Sequence, residues 1–183
     1  GLTALAPTFY VTGNHEWVLS REKRRELFSL LDAAGVVRLQ NEYRLLEKGG
    51  ASIALAGVDD PNGPYDQKRP AQLVREIRQE QGKDAYILML SHRNDELELW
   101  ANMGVQTVLC GHGHGGIVRL PFVGAVFGTH LDLFPDYTAG LYQKGQTSMI
   151  VSRGLGGSRK LPLRIGNRPE IVTVVLKAES GKI

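Results

Sequence analysis

"VQTVLCGHGHGG", Val105–Gly116, is an apolar run that stops abruptly in a cluster of glycines and histidines. Its β-branched residues and short length are those of a strand buried on both faces. Glycines alone at the end of such a strand would mean only a turn. A turn has no need of the two imidazoles set between them, those of His112 and His114.

The same arrangement recurs along the chain. "PTFYVT" (Pro7–Thr12) runs into Gly13, Asn14, His15 and Glu16; "ASIALAGV" (Ala51–Val58) runs into Asp59 and Asp60; "AYILML" (Ala85–Leu90) runs into Ser91, His92 and Arg93. Helical patterns separate the runs. In "SREKRRELFSLLDAAG", Leu27, Leu30, Leu31 and Ala34 recur at helical spacing, with Ser20 as N-cap and Gly35 as the closing residue. Pro70 opens a second helix through "AQLVREIRQEQ" and Gly82 closes it. Asn94 is expected to cap a short third helix, "DELELWANM", closed by Gly104. Apolar strands alternating with helices predict an α/β fold whose sheet, at least partly parallel, is covered on both faces. Past residue 117 the helical pattern fades, and "TSMIVS" and "EIVTVVLKAE" predict strands of a more antiparallel region.

At 183 residues and 42% hydrophobic content the chain suffices for one domain with a real core. No apolar run approaches the roughly 18 residues that span a bilayer, and the first residues lack the basic-then-apolar pattern of a secretory signal. The net charge of +3 and pI near 9.1 suit an anionic substrate and an ordinary surface equally. Cys110 is the single cysteine, which excludes an intramolecular disulfide; it reads as a small buried hydrophobe rather than a zinc thiolate. "REKRRE" interleaves glutamates with its basic residues and reads as a solvated helix face, so no nucleic-acid patch is evident. His130, outside these clusters, reads as structural.

Four of the five histidines therefore stand at the ends of buried strands. In open α/β sheets those ends converge on one crevice, where ligands bind. One such histidine would more readily be a hydrogen-bonded structural residue; four at equivalent places point to metal chemistry. Imidazole, amide oxygen and carboxylate together suit Zn²⁺, Mn²⁺ or Fe ions. In an extended "GHGHGG" the alternate imidazoles would reach neighbouring ions. Two ions roughly 3.5–4 Å apart can activate a bridging hydroxide and clamp the oxygens of a phosphoryl group. The Asn14 oxygen would then bind metal while His15 acts as general acid, oriented by Glu16. Asp59 and Asp60 read as turn caps rather than as support for the metal shell, and Arg93, Arg119 and Arg153, any of which could receive a substrate phosphate bidentately, read rather as surface ion pairs. Arg93 is the least readily assigned to the surface, because it follows His92.

"GNHE", the histidine of "LMLSHRND" and "CGHGHGG" resemble the third, fourth and fifth sequence blocks of the calcineurin-like metallophosphoesterases. "LAGVDDP", "GGIVRLPFVG", "VSRGLGGS" and "RIGNRPEI" are similar to the bacterial branch of small, YkuE-like phosphohydrolases. The resemblance implies a four-layer α/β/β/α sandwich and hydrolysis of a phosphomonoester or phosphodiester, small-molecule or lipid-type, through two divalent ions, Mn, Zn or Fe. Asn14, His92 and His112 would hold one ion, His114 would belong to the other, and His15 would be the catalytic histidine. Gly113 stands where relatives commonly have threonine, and Asn94 where many have proline. The family's first two blocks, an Asp-x-His and a Gly-Asp, should precede "GNHE", yet only twelve residues precede Gly13. The resemblance thus implies an N-terminally incomplete fold with at most about one tightly held ion and impaired hydrolysis. It also implies an exposed sheet open to self-association. The rival expectation is a non-catalytic interaction module on the same fold.

Overall fold

The computed structural model describes residues 1–129, 131–157 and 163–177, so His130 and the last two residues of "EIVTVVLKAE" lie outside it. The chain begins with β1 (Thr8–Tyr10), α1 (Asn14–Trp17), α2 (Arg21–Ala33) and β2 (Val36–Arg38). Next come β3 (Glu42–Lys48), β4 (Ala51–Gly57), α3 (Pro70–Gln81), β5 (Ile87–Leu90), α4 (Leu97–Asn102) and β6 (Thr107–Cys110). It continues with β7 (Val118–Leu120), β8 (Gly124–Phe127), β9 (Gly140–Lys144) and β10 (Thr147–Val151).

Six strands form one mixed sheet in the order β3-β4-β5-β6-β10-β9. Its inner strands β4, β5, β6 and β10 are parallel, and β3 and β9 close the edges antiparallel. Strand alternation gives the sheet two apolar faces. Ala54, Ala56, Ile87, Met89, Val108, Met149 and Val151 line the face packed against Leu73, Val74 and Ile77 of α3 and Leu97 and Trp100 of α4. Leu55 and Leu88 point the other way and meet Leu39, with Phe9, Val11 and Val37, on a small parallel sheet of β1 and β2. α2 lies on that small sheet, where the Arg38 guanidinium stacks 4.5 Å over the Phe28 ring. Helices, large sheet, small sheet and helix make the expected α/β/β/α order. Among the described residues the small sheet is two strands wide, and no helix is long and apolar enough to cross a membrane.

Local sequence signals account for most element ends. The Ser20 hydroxyl accepts from the Lys23 N–H at the start of α2, and Gly35, at φ 76°, ends it. β3 and β4 are joined through Gly49 and Gly50, both at positive φ as a type I′ turn requires. Two expectations are corrected. Asn94 does not cap α4; its Nδ2 donates to the Tyr137 carbonyl at 2.8 Å. Residues 170–177 are not a strand. No described edge pairs with them, and a strand with unpaired backbone gains nothing over solvated chain. Ile171 and Val175 are consequently 82% and 71% exposed.

Candidate metal centre

Because β4, β5 and β6 run parallel, their C-terminal ends open at one edge of the sheet, and hydrogen bonds tie those ends together. Ser91 N–H donates to the Leu109 carbonyl and Gly111 N–H to the His92 carbonyl. His92 Nε2 stands 2.9 Å from Asn14 Oδ1 and 2.8 Å from His112 Nδ1. Donor atoms from both sheets therefore meet at one point. The approach is close enough that a Cβ on Gly13 would lie 2.8 Å from the His92 ring, so glycine is what lets the "GNHE" turn rest there. Buried Asp59 anchors the turn, accepting from the Thr12 hydroxyl at 2.6 Å and from Asn41 Nδ2 at 3.2 Å. Glu16 does not orient His15. Its carboxylate accepts from the Gly13 N–H and so closes the turn that carries Asn14.

"GHGHGG" is folded rather than extended. Gly113 N–H donates to the Gly111 carbonyl at 2.7 Å about His112, which has φ 62°, the strained hand of the γ-turn. His114 is also left-handed, at φ 51°. Such backbone persists only where its surroundings hold it. Here Asn167 Nδ2 donates to the carbonyls of His114 and Gly116 at 2.8 and 2.6 Å, and Arg119 Nη1 donates to that of Gly115 at 2.9 Å. The fold of the loop sends the two imidazoles to different places. His112 faces His92, while His114 Nδ1 donates to the Gly156 carbonyl at 3.3 Å. His15 is exposed on α1, near enough to His114 for its charge to act there. Asn14, His92 and His112 are thus brought together, with His114 and His15 flanking them.

Beneath this set lies a charge pair that sequence reading missed. Arg93 grips Asp60 through Nε and Nη2 at 2.7 and 3.0 Å, and its third nitrogen, Nη1, lies 3.3 Å from His112 Nε2. Asp60 has no exposed side chain. Burial would raise its carboxyl pKa, but the Arg93 hydrogen bonds and the Asn62 N–H outweigh it and hold the group below the ordinary carboxylate value. It caps a turn, as expected, and also fixes a guanidinium. Burial lowers the pKa of His92 and of His114, which favours neutral imidazole with a lone pair to offer. Cys110 is buried, its Sγ donating to the Ile150 carbonyl, and burial pushes its pKa up to about 12, so it remains a thiol.

Two imidazole nitrogens and an amide oxygen form a donor set for a borderline divalent ion. Ligands about 2.1 Å from one ion and at right angles lie about 3 Å apart, which the observed 2.8–2.9 Å spacings match. Among the described residues no group of three or more His, Cys, Asp or Glu gathers at metal-binding spacing.

Known proteins are similar to this chain in sequence. Over 96% of its length the chain is 30% identical to phosphodiesterase YaeI of Escherichia coli (strain K12), covering 60% of that protein. It is 33% identical over 82% of its length to the metallophosphoesterase YkuE of Bacillus subtilis (strain 168), covering 50% of it. A metallophosphoesterase of Aquifex aeolicus (strain VF5) is 29% identical over 94% of the chain, which covers 62% of it. Metallophosphoesterases are thus the class to which this chain is similar, and that similarity supports its place in the calcineurin-like metallophosphoesterase family. It spans about half to three-fifths of the length of these relatives. No family model matches the chain, and no solved structure matches it significantly.

Proposed function

We propose that the protein carrying this chain hydrolyses a phosphomonoester or phosphodiester at a dinuclear metal centre. The observation that carries the reading is the convergence of Asn14 Oδ1, His92 Nε2 and His112 Nδ1 within 2.8–2.9 Å contacts. These three would hold one divalent ion, Mn, Zn or Fe, and His114 would serve the second. Bound there, the ions would supply Lewis-acid stabilisation of phosphoryl charge and acidify water. Asn14 is fixed for its task by Gly13, Glu16 and the Asp59 anchor, and His92 by the Gly13 backbone lying on its ring. His15, exposed on α1, would give a proton to the leaving oxygen. The extra length of the relatives supports further ligands outside these 183 residues. On its own the chain would hold at most about one ion tightly, because a closed site takes about four ligands. Self-association of the chain is a further part of the proposal. Phe9, Val37, Leu90 and Leu109 between the sheets are only partly covered; light scattering that returned a monomer at high concentration would refute it.

The test separates two neighbours. In the full-length, metal-loaded protein, Asn14→Ala is expected to lower metal content, since it deletes an oxygen of the converging set. His15→Ala is expected to leave metal content unchanged while turnover of an alkyl phosphodiester falls roughly 10²–10⁴-fold, the usual contribution of a positioned acid–base group. The fall should be smaller for bis(4-nitrophenyl) phosphate, whose leaving group needs little protonation. Loss of metal on replacing His15 would make it a ligand and overturn the division of labour. Absence of any diester hydrolysis by the loaded protein would favour the non-catalytic module.

A further inference from the structure

A cavity of about 530 Å³ is lined by His112 and Arg93 together with Asp95, Asp132, Asp136 and Tyr137. We propose that it receives the alcohol portion of the substrate, that Arg93 Nη1 contacts the phosphoryl oxygen beside His112, and that this alcohol offers hydroxyl or ammonium hydrogens and bears no second phosphate. The inference rests on the phosphoesterase reading and adds the substrate class.

Arg93 supplies the first part of the argument. Asp60 takes its Nε and Nη2, which sets the plane of the guanidinium, and the remaining Nη1 lies 3.3 Å from His112 Nε2, both residues being part of the cavity lining. Asp60 has no accessible side-chain surface, whereas Arg93 retains 23%, so the arginine alone of the pair can reach a ligand. A pre-set guanidinium donor is the geometry that phosphoryl oxygens select.

The walls supply the second part. Among the described lining residues three aspartates accompany one arginine, whose charge Asp60 already opposes. A second phosphate placed there would meet carboxylates of its own sign, while hydroxyl and ammonium hydrogens would find acceptors. An acyl chain fares no better, because it would strip water from those carboxylates and give no hydrogen bond in return. The wall is also braced, since Asn94 Nδ2 holds the Tyr137 carbonyl.

The experiment follows hydrolysis of bis(4-nitrophenyl) phosphate by the full-length, Mn²⁺-loaded protein in competition with three probes. sn-Glycero-3-phosphoethanolamine should compete at least about tenfold better than fructose 1,6-bisphosphate or dibutyl phosphate, the advantage expected of one or two charge-assisted hydrogen bonds. The same headgroup in phosphatidylethanolamine micelles distinguishes a lipid source from a free one. Arg93→Lys keeps a cation beside Asp60 but removes the fork. It should weaken glycerophosphoethanolamine at least about tenfold with Mn content unchanged, measured at a temperature below the variant's melting transition. Asp136→Lys, at an exposed position, should weaken that probe and strengthen the bisphosphate. Equal competition by the bisphosphate or dibutyl phosphate, or indifference to both substitutions, overturns the inference while leaving the phosphoesterase reading intact. Failure of the loaded wild type to hydrolyse the diester overturns the inference, and failure to hydrolyse 4-nitrophenyl phosphate as well overturns both.

Discussion

Asp60 shows how one residue can carry more than its local sequence announces. In "DDPNGP" it looks like a turn former, and it does accept from the Asn62 N–H, but its charge is buried and neutralised by Arg93, which lies 33 positions away. Proximity in sequence cannot reveal such a pair. A consequence follows for stability. The folded-state pKa of Asp60 lies below its unfolded value, so its contribution is fully present above about pH 4 and is lost as pH falls through the folded value. Asp60→Asn should therefore cost about 2–4 kcal/mol at pH 7, because it leaves a partly buried guanidinium without its counter-charge. Near pH 2 the gap between the two proteins should narrow. Urea unfolding at both pH values measures it, and a gap of equal size at each would show that the pair is not the cause.

Elements differ in how openly the chain declares them. α2, α3, β4, β5, β6 and β10 are legible because caps, glycine stops and apolar runs are local signals. β3 is not legible, since "EYRLLEK" at the sheet edge has charges where an inner strand would have apolar residues; β7 and β8 are short, and β9 is mostly exposed. The same division holds at the site. Asn14, His92 and His112 stand out at strand ends, whereas Asn167, although it lies within "RIGNRPEI", declares no role, because its task is to hold a loop 51–53 residues earlier in the chain. Its amide nitrogen satisfies two carbonyls of the strained "GHGHGG" turn. Asn167→Ala should therefore destabilise the protein by about 1–3 kcal/mol and, by freeing His112 and His114, weaken metal affinity about 10–100-fold. Calorimetric metal titration beside thermal melting checks both. Unchanged affinity with a lowered melting temperature would mean that the loop holds its imidazoles without this brace.

At the scale of the whole molecule, the two faces of the large sheet are unequally provided for. α3 and α4 seal one, while the other meets a sheet only two strands wide among the described residues, with Val11, Ile53 and Leu90 part-covered. The stretch Ile171–Leu176, "IVTVVL", belongs to the same imbalance. It is apolar and β-branched, carries no charge and no proline, and lies unpaired with Ile171 and Val175 largely exposed. Six residues of that character are what stacked fibrils are built from. Purified samples of this chain should thus deteriorate on the shelf from this segment, gaining thioflavin fluorescence after a lag that shortens with concentration. Placing a single lysine at Val174 should lengthen that lag several-fold without moving the melting temperature, since the side chain it replaces is not part of the core. The chain altered at this one position would then be the practical form to store and to titrate with metal.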